Sequence, residues 1–263
     1  MMKRRIIFTG VLVFCLLCGF GVLSAQGPET GRISGQLIIK NRVTMEGGLV
    51  YFTSKAGPVP DPAKFWRIPD FLGEIKEGGR FSVELPEGEY YVGAIKRKRG
   101  KTKNGPPEPG DYFYRALDEN GGPRVYAVKK GENLDLGTVS GMPQFKGLGR
   151  GANISAVEGR ILDVSGKPVK GAYVFAFLSQ SMIGRPVFAS YKTGRDGKYQ
   201  LRVHAGGNYY LRVRDVYGGG PPVVGALIGN FGGETPEAVT VKTGEITGGI
   251  DITVVKFQGR GQR

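Results

Sequence analysis

The chain has 263 residues, with 37 Lys and Arg against 23 Asp and Glu, for a formal net charge of +14. It has 45 Gly and 16 Pro but one His, one Trp and two Cys. One His excludes the common His-built zinc centres, and a basic balance this large speaks to anionic partners and solubility rather than to fold.

The N-terminus comes first. Lys3, Arg4 and Arg5 precede an apolar run from Ile6 to Leu23, closed by the small residues Ser24 and Ala25. That order predicts a secretory signal peptide over residues 1–25. The run is also near the length that spans a bilayer, so a retained anchor is the competing reading. Cys15 and Cys18 both lie inside it, behind Phe14 and Leu17, where lipid attachment would need a small residue. A cleaved chain then has no thiol, no disulfide and no cysteine metal site. It has no transmembrane helix, and its charge falls to +11 without the three leading cations. The expected location is periplasmic or extracellular, which disfavours intracellular nucleic acid as a partner.

The rest of the chain has short alternating runs punctuated by Gly, Pro, Asn and Asp, the pattern of an all-β protein. It is written twice. "ISGQLIIKNRVTMEGGLVYF", "EGGRFSVELPEGEYYVGA" and "KKGENLDLGTV" are answered by "AVEGRILDVSGKPVKGAYVFAF", "GRDGKYQLRVHAGGNYYLRV" and "KTGEITGGIDITV". Gly79 and Phe81 match Gly197 and Tyr199, and Tyr90-Tyr91 matches Tyr209-Tyr210. Even the loops rhyme, with Gly105-Pro106-Pro107 answered by Gly220-Pro221-Pro222. Phe81, Val83 and Leu85 alternate with Ser82 and Glu84, so one face is core and the other is solvent. Gly78, Gly79, Gly166 and Gly197 sit in turns that call for positive φ. A Gly-rich stretch over residues 140–153 reads as a linker.

"GRILDVSGKPVKGAYVFAF" and "TGRDGKYQLRVHAGGNYYLRV" resemble the carboxypeptidase regulatory-like domain, a transthyretin-like (prealbumin-like) sandwich of about seven strands. The resemblance rests on Gly159, Ile161, Asp163, Gly166, Pro168, Val169, Gly171, Ala172 and Val174, then Thr193, Asp196, Gly197, Tyr199, Leu201 and Tyr210. The first copy lacks the "SGKPV" turn and carries the insertion "SKAGPVPDPAKFWRIPDFLGE". The expected fold is two tandem seven-stranded Greek-key β-sandwiches: residues 26–139, the linker over 140–153, residues 154–257, and a basic tail over 258–263. The resemblance implies a non-catalytic accessory, adhesive or ligand-contacting module and supplies no ligand.

No catalytic constellation, phosphate loop or dinucleotide fingerprint stands out, so neither enzyme activity nor a cofactor is expected. His204 alternates to an outer face. The resemblance also raises a covalent Lys–Asn link assisted by an acid, with Lys40, Glu84 and Asn133 as candidates. Glu84 alternates outward, which argues against it. Three features could contact a partner. Lys96, Arg97, Lys98, Arg99, Lys101 and Lys103 form a basic loop followed by Tyr112, Phe113 and Tyr114; cations beside aromatics suit phosphate, carboxylate or sugar groups. Arg202, Tyr210, Arg212 and Arg214 are placed on one outward face of a hairpin, where like charges across strands destabilise the sheet; a register that sets Arg202 opposite Tyr210 would relieve this by stacking, and so would an anionic partner. Phe65 and Trp66 lie in the first copy's insertion, either exposed for contact or folded back over the sandwich. The leading partner is a protein assembly or a surface polyanion such as lipopolysaccharide or an acidic glycan. The alternative is a carbohydrate-binding module that stacks sugars on exposed aromatics.

Overall fold

The computed structural model describes residues 30–100, 102–149, 153–218 and 220–259. The expected signal peptide, Lys101, the middle of the linker and the end of the basic tail lie outside the described residues. The first half holds β1 (Thr30–Lys40), β2 (Val43–Thr44), β3 (Leu49–Ser54), β4 (Phe71–Glu74), β5 (Arg80–Pro86), β6 (Gly88–Lys96), β7 (Tyr112–Arg115), β8 (Val125–Val128) and β9 (Asn133–Ser140). The second half holds β10 (Ser155–Asp163), β11 (Tyr173–Phe177), β12 (Phe188–Ala189), β13 (Lys198–Val203), β14 (Gly207–Arg214), β15 (Leu227–Asn230), β16 (Ala238–Val241), β17 (Ile246–Thr247) and β18 (Ile252–Lys256).

The duplication in the sequence is a duplication of pairing. β1 runs antiparallel to β5 and parallel to β9. β10 does the same with β13 and with β17 and β18. In the facing sheet β3 pairs β4 and β6, and β6 pairs β7 and β8. The same roles fall to β11, β12, β14, β15 and β16. The halves differ at one edge. β15 also pairs β18, so the two sheets of the second sandwich join into one path, whereas those of the first stay separate.

Alternation works as expected on β5 and β13. Phe81, Leu85, Tyr199, Leu201 and Val203 point inward, while Arg80, Ser82, Glu84 and Lys198 are exposed. The inner faces make two cores, one around Ile33, Leu37, Phe52, Phe81 and Leu85 and one around Val157, Ile161, Val174, Leu201 and Leu211. Gly78, Gly79, Gly166 and Gly197 all have positive φ. Gly159 serves a different need: a Cβ there would lie 1.9 Å from the Ile250 carbonyl oxygen, in the segment between β17 and β18 that runs beside β10.

Lys40, Glu84 and Asn133 do not meet. Lys40 is opposite Val43 at one end of β1, while Asn133 is opposite Arg32 near the other. Glu84 is exposed and accepts from Arg32 at 2.9 Å. A Lys–Asn link through this trio is therefore ruled out by register.

The Gly-rich stretch is also not a free tether up to Gly149. Its backbone runs beside β7, with Phe113 N–H donating to the Pro143 carbonyl at 2.9 Å and Phe145 N–H to the Asp111 carbonyl at 2.7 Å. Met142 is buried in the first core.

Candidate functional site

The sheets that face each other across the molecule are not solvated on their outer sides. On β3 the inward set is Val50 and Phe52, while Leu49 and Tyr51 point out; on β11 the inward set is Val174 and Ala176, while Tyr173, Phe175 and Phe177 point out. An aromatic outer face in water is unfavourable, so the two halves close over each other. The seam gathers Tyr51, Trp66, Ile95, Phe113 and Phe145 from one side and Phe175, Phe177 and Met182 from the other. Gly93 makes room for it, because a Cβ there would lie 2.2 Å from the Tyr51 ring.

The first half's insertion completes the closure. Asp70 braces it, accepting from Ser54 N–H at 2.7 Å and from Arg67 at 3.3 Å. Arg67 also donates to the Pro58 carbonyl. Residues 66–68 then pair with the edge at β12, where Ile68 N–H donates to the Val187 carbonyl at 2.9 Å. Trp66 is 5% exposed and donates from Nε1 to the Tyr217 hydroxyl at 2.7 Å. Phe65 goes further and packs inside the second core, edge-on to Phe188 at 5.5 Å. Neither residue is available as a contact platform. The loop folds back, and it covers the opposite sandwich rather than its own.

The basic loop is divided. Arg97 is turned inward: it donates to Asp111 Oδ2 at 2.6 Å, to the Pro106 carbonyl at 2.8 Å and to the Lys103 carbonyl at 3.0 Å. Asp111 is buried and also accepts from the Lys98 and Glu108 N–H groups. Lys96 donates to the Thr44 carbonyl at 3.3 Å. Among the described residues of the loop, the exposed cations are Lys98, Arg99 and Lys103. The loop is pinned from the second half as well, since the Tyr191 hydroxyl donates to the Pro107 carbonyl at 2.6 Å. Tyr112 and Tyr114 pack half-buried against the first core, and Phe113 enters the seam. These aromatics do not join the cations in a shared surface.

Arg202 and Tyr210 do not face each other. β13 pairs β10 and β14 pairs β11, so the hairpin crosses from one sheet to the other. Arg202 donates to Gln200 Oε1 at 2.5 Å and to the Gly149 carbonyl at 3.0 Å. Burial pushes its pKa down, with Tyr191 and Glu158 opposing. Arg202 lines a cleft of about 620 Å³ between the halves, with Asp61, Lys64, Arg115 and the exposed His204. His204 packs edge-on to Phe65 at 5.4 Å. Tyr210 lies against the seam, and Arg212 and Arg214 stand beyond it on β14. Hydrophobic alternation could have flagged the seam, because β11 is apolar on both faces. Among the described residues no three His, Cys, Asp or Glu side chains group as metal ligands, and no helix is long and apolar enough to cross a membrane.

No protein-family model matches the chain, and no curated protein does. Among solved structures it is similar to the minor pilin GBS52 of Streptococcus agalactiae, at 13% identity and a TM-score of 0.25, over 89% of this chain and 100% of that one. It is similar to a DUF3823 family protein of Parabacteroides merdae at 13% identity and a TM-score of 0.24, over 83% and 100%. Against the Bacillus anthracis TIE protein the identity is 15% and the TM-score 0.25, over 86% of this chain but 34% of that one. The chain spans about a third of that relative's length.

Proposed function

We propose that the chain is an exported, non-catalytic binding protein made of two tandem transthyretin-like domains, and that it contacts an anionic partner outside the cytoplasm through its cationic surface. The observation that carries this is the basic loop. Lys98, Arg99 and Lys103 are exposed on a segment whose backbone is held by Arg97, Asp111 and Tyr191. A fixed loop presents its charges at little ordering cost on binding, whereas a mobile one must first be ordered. The partner is a surface polyanion such as lipopolysaccharide or an acidic glycan, recognised by its repeated negative charge. Stacking of a neutral sugar has less support, because Phe65, Trp66 and Phe113 are buried.

The test is elution from an immobilised sulfated polysaccharide and from lipopolysaccharide at rising salt. Replacing Lys98, Arg99 and Lys103 together by Gln is expected to lower the eluting salt concentration and flatten the salt dependence. Unchanged elution would remove the loop from the proposal.

A further inference from the structure

β14 ends in a charge imbalance. Arg212 and Arg214 stand two residues apart on one face of the strand. Arg212 lies over the Phe177 ring at 5.3 Å, donates from Nε to Asn230 Oδ1 at 3.2 Å and from Nη1 to the Met182 carbonyl at 3.3 Å. Arg214 is 9% exposed and donates from Nη1 to the Gly220 carbonyl at 3.2 Å. Among the described residues its Nε–H has no acceptor. No carboxylate lies within ion-pair distance of either guanidinium among the described residues. Asp215 follows in the chain, but one of its own oxygens is buried without a donor, so it does not serve Arg214. Burial pushes the Arg212 pKa down, and the charge on Arg214 pushes it the same way.

The first half shows how a cation next to this edge is neutralised. Lys96 pairs with Tyr112 across β6 and β7, which sets Arg97 beside Asp111. In the matching register Arg212 pairs with Asn230, as Gly93 pairs with Arg115, so Val216 and Ala226 take those two places. The backbone confirms the match. Gly110 and Asp111 exchange hydrogen bonds with Phe145 at 2.8 and 2.7 Å, and Gly225 and Ala226 do so with Phe257 at 2.8 and 2.8 Å. The second half therefore puts Arg212 and Arg214 where the first half has Gly93 and Ile95, and the neutral pair Val216 and Ala226 where the first half has Arg97 and Asp111. An uncompensated charge held out of water is costly, and an orphaned buried donor calls for an explanation. Two guanidiniums and a side-chain amide on one face suit a group with several acceptor oxygens.

We propose that Arg212 and Arg214, with Asn230, form a subsite for a single oxyanion (carboxylate, sulfate or phosphate) carried by the partner. This rests on the anionic-partner reading and names the group that would be read. Bound there, the oxyanion would supply to the two guanidiniums the acceptor oxygens that no carboxylate of the described residues supplies.

The full chain is titrated with sodium glucuronate, sulfate and phosphate, each at constant ionic strength, while the arginine Nε–H signals are followed by NMR. Saturable shifts of the Arg212 and Arg214 signals are expected from at least one of the three, with Arg99 following ionic strength alone. Glucuronate alone would assign a carboxylate, and sulfate or phosphate alone a tetrahedral group. Arg214→Met is expected to raise the unfolding midpoint of the free protein by about 2–4 °C, the shift that follows when a modest unfavourable term is removed from a chain this size. It should also abolish the oxyanion-dependent shift. Ala226→Asp, which supplies an internal acid, should do both. No saturable shift with any probe, or a lower midpoint in Arg214→Met, overturns the proposal. The loop variant separates this outcome from the broader reading: it should lose polymer retention yet keep the small-oxyanion shifts.

Discussion

Arg97 sits inside the cationic run yet builds the loop instead of facing a partner. Its guanidinium and Asp111 are both largely buried and 2.6 Å apart. Such a pair adds little relative to an apolar replacement, but removing one partner strands the other. Asp111→Ala is expected to cost about 3–5 kcal/mol in urea unfolding, because an unpaired buried charge is left behind. A loss below about 1 kcal/mol, the range of exposed pairs, would show that the pair is solvated. The tyrosines give a pH prediction. Burial first, and then Tyr126, push the Tyr114 pKa up to about 12; burial holds Tyr51 and Tyr217 still higher. A folded pKa above the unfolded value of about 10 means the stabilisation is complete below pH 10 and is lost as pH rises through about 12. Phenolate absorbance should therefore rise in two waves, the second coinciding with loss of structure. A single wave near pH 10 for all 12 tyrosines would contradict the burial of the seam.

The insertion between β3 and β4 is the element that joins the halves. It is short of regular structure, and its stability comes from Asp70, Arg67 and the edge pairing at β12. Phe65→Ala should cost about 3–5 kcal/mol, the range for deleting a buried aromatic ring. Its effect should appear in the wrong half by sequence: amide exchange is expected to speed up in β12, β13 and β14 more than in β1 and β5. Equal acceleration in both halves, or none in the second, would place Phe65 outside that core. Alternation on β5 and β13 was legible in the sequence because period two has one core face to satisfy. The sheet crossing of the β13–β14 hairpin was not, since a hairpin that stays in one sheet and one that bridges two have the same local pattern. That ambiguity is why a register with Arg202 opposite Tyr210 was open on the sequence, and the sheet crossing is why it does not form.

At the scale of the whole molecule the buried seam and the shared insertion predict one cooperative unit. Calorimetry should show a single transition whose van't Hoff and calorimetric enthalpies agree. Two resolved transitions would mean that the seam contributes little beyond contact. The same rigidity fixes the basic loop and the β14 arginines relative to each other, so a polyanion meeting both binds a preset arrangement of charge.

The sequence by itself determined the β class, the duplication, the inward faces and the turn glycines, because period-two alternation and positive φ are local demands. Tertiary structure alone decided which outward residues are outward. Trp66 and Phe65 could be an exposed cluster or a folded-back loop on the sequence, and the fold makes them packing residues of the seam and of the opposite core. Arg97 looks like one cation among six and is paired with an acid 14 residues away. Arg214 looks like an ordinary solvent-facing strand residue and is left buried and unpaired. The physical reason is the same in each case: burial and charge compensation depend on what comes from far along the chain to cover a side chain, and a local pattern carries no record of that.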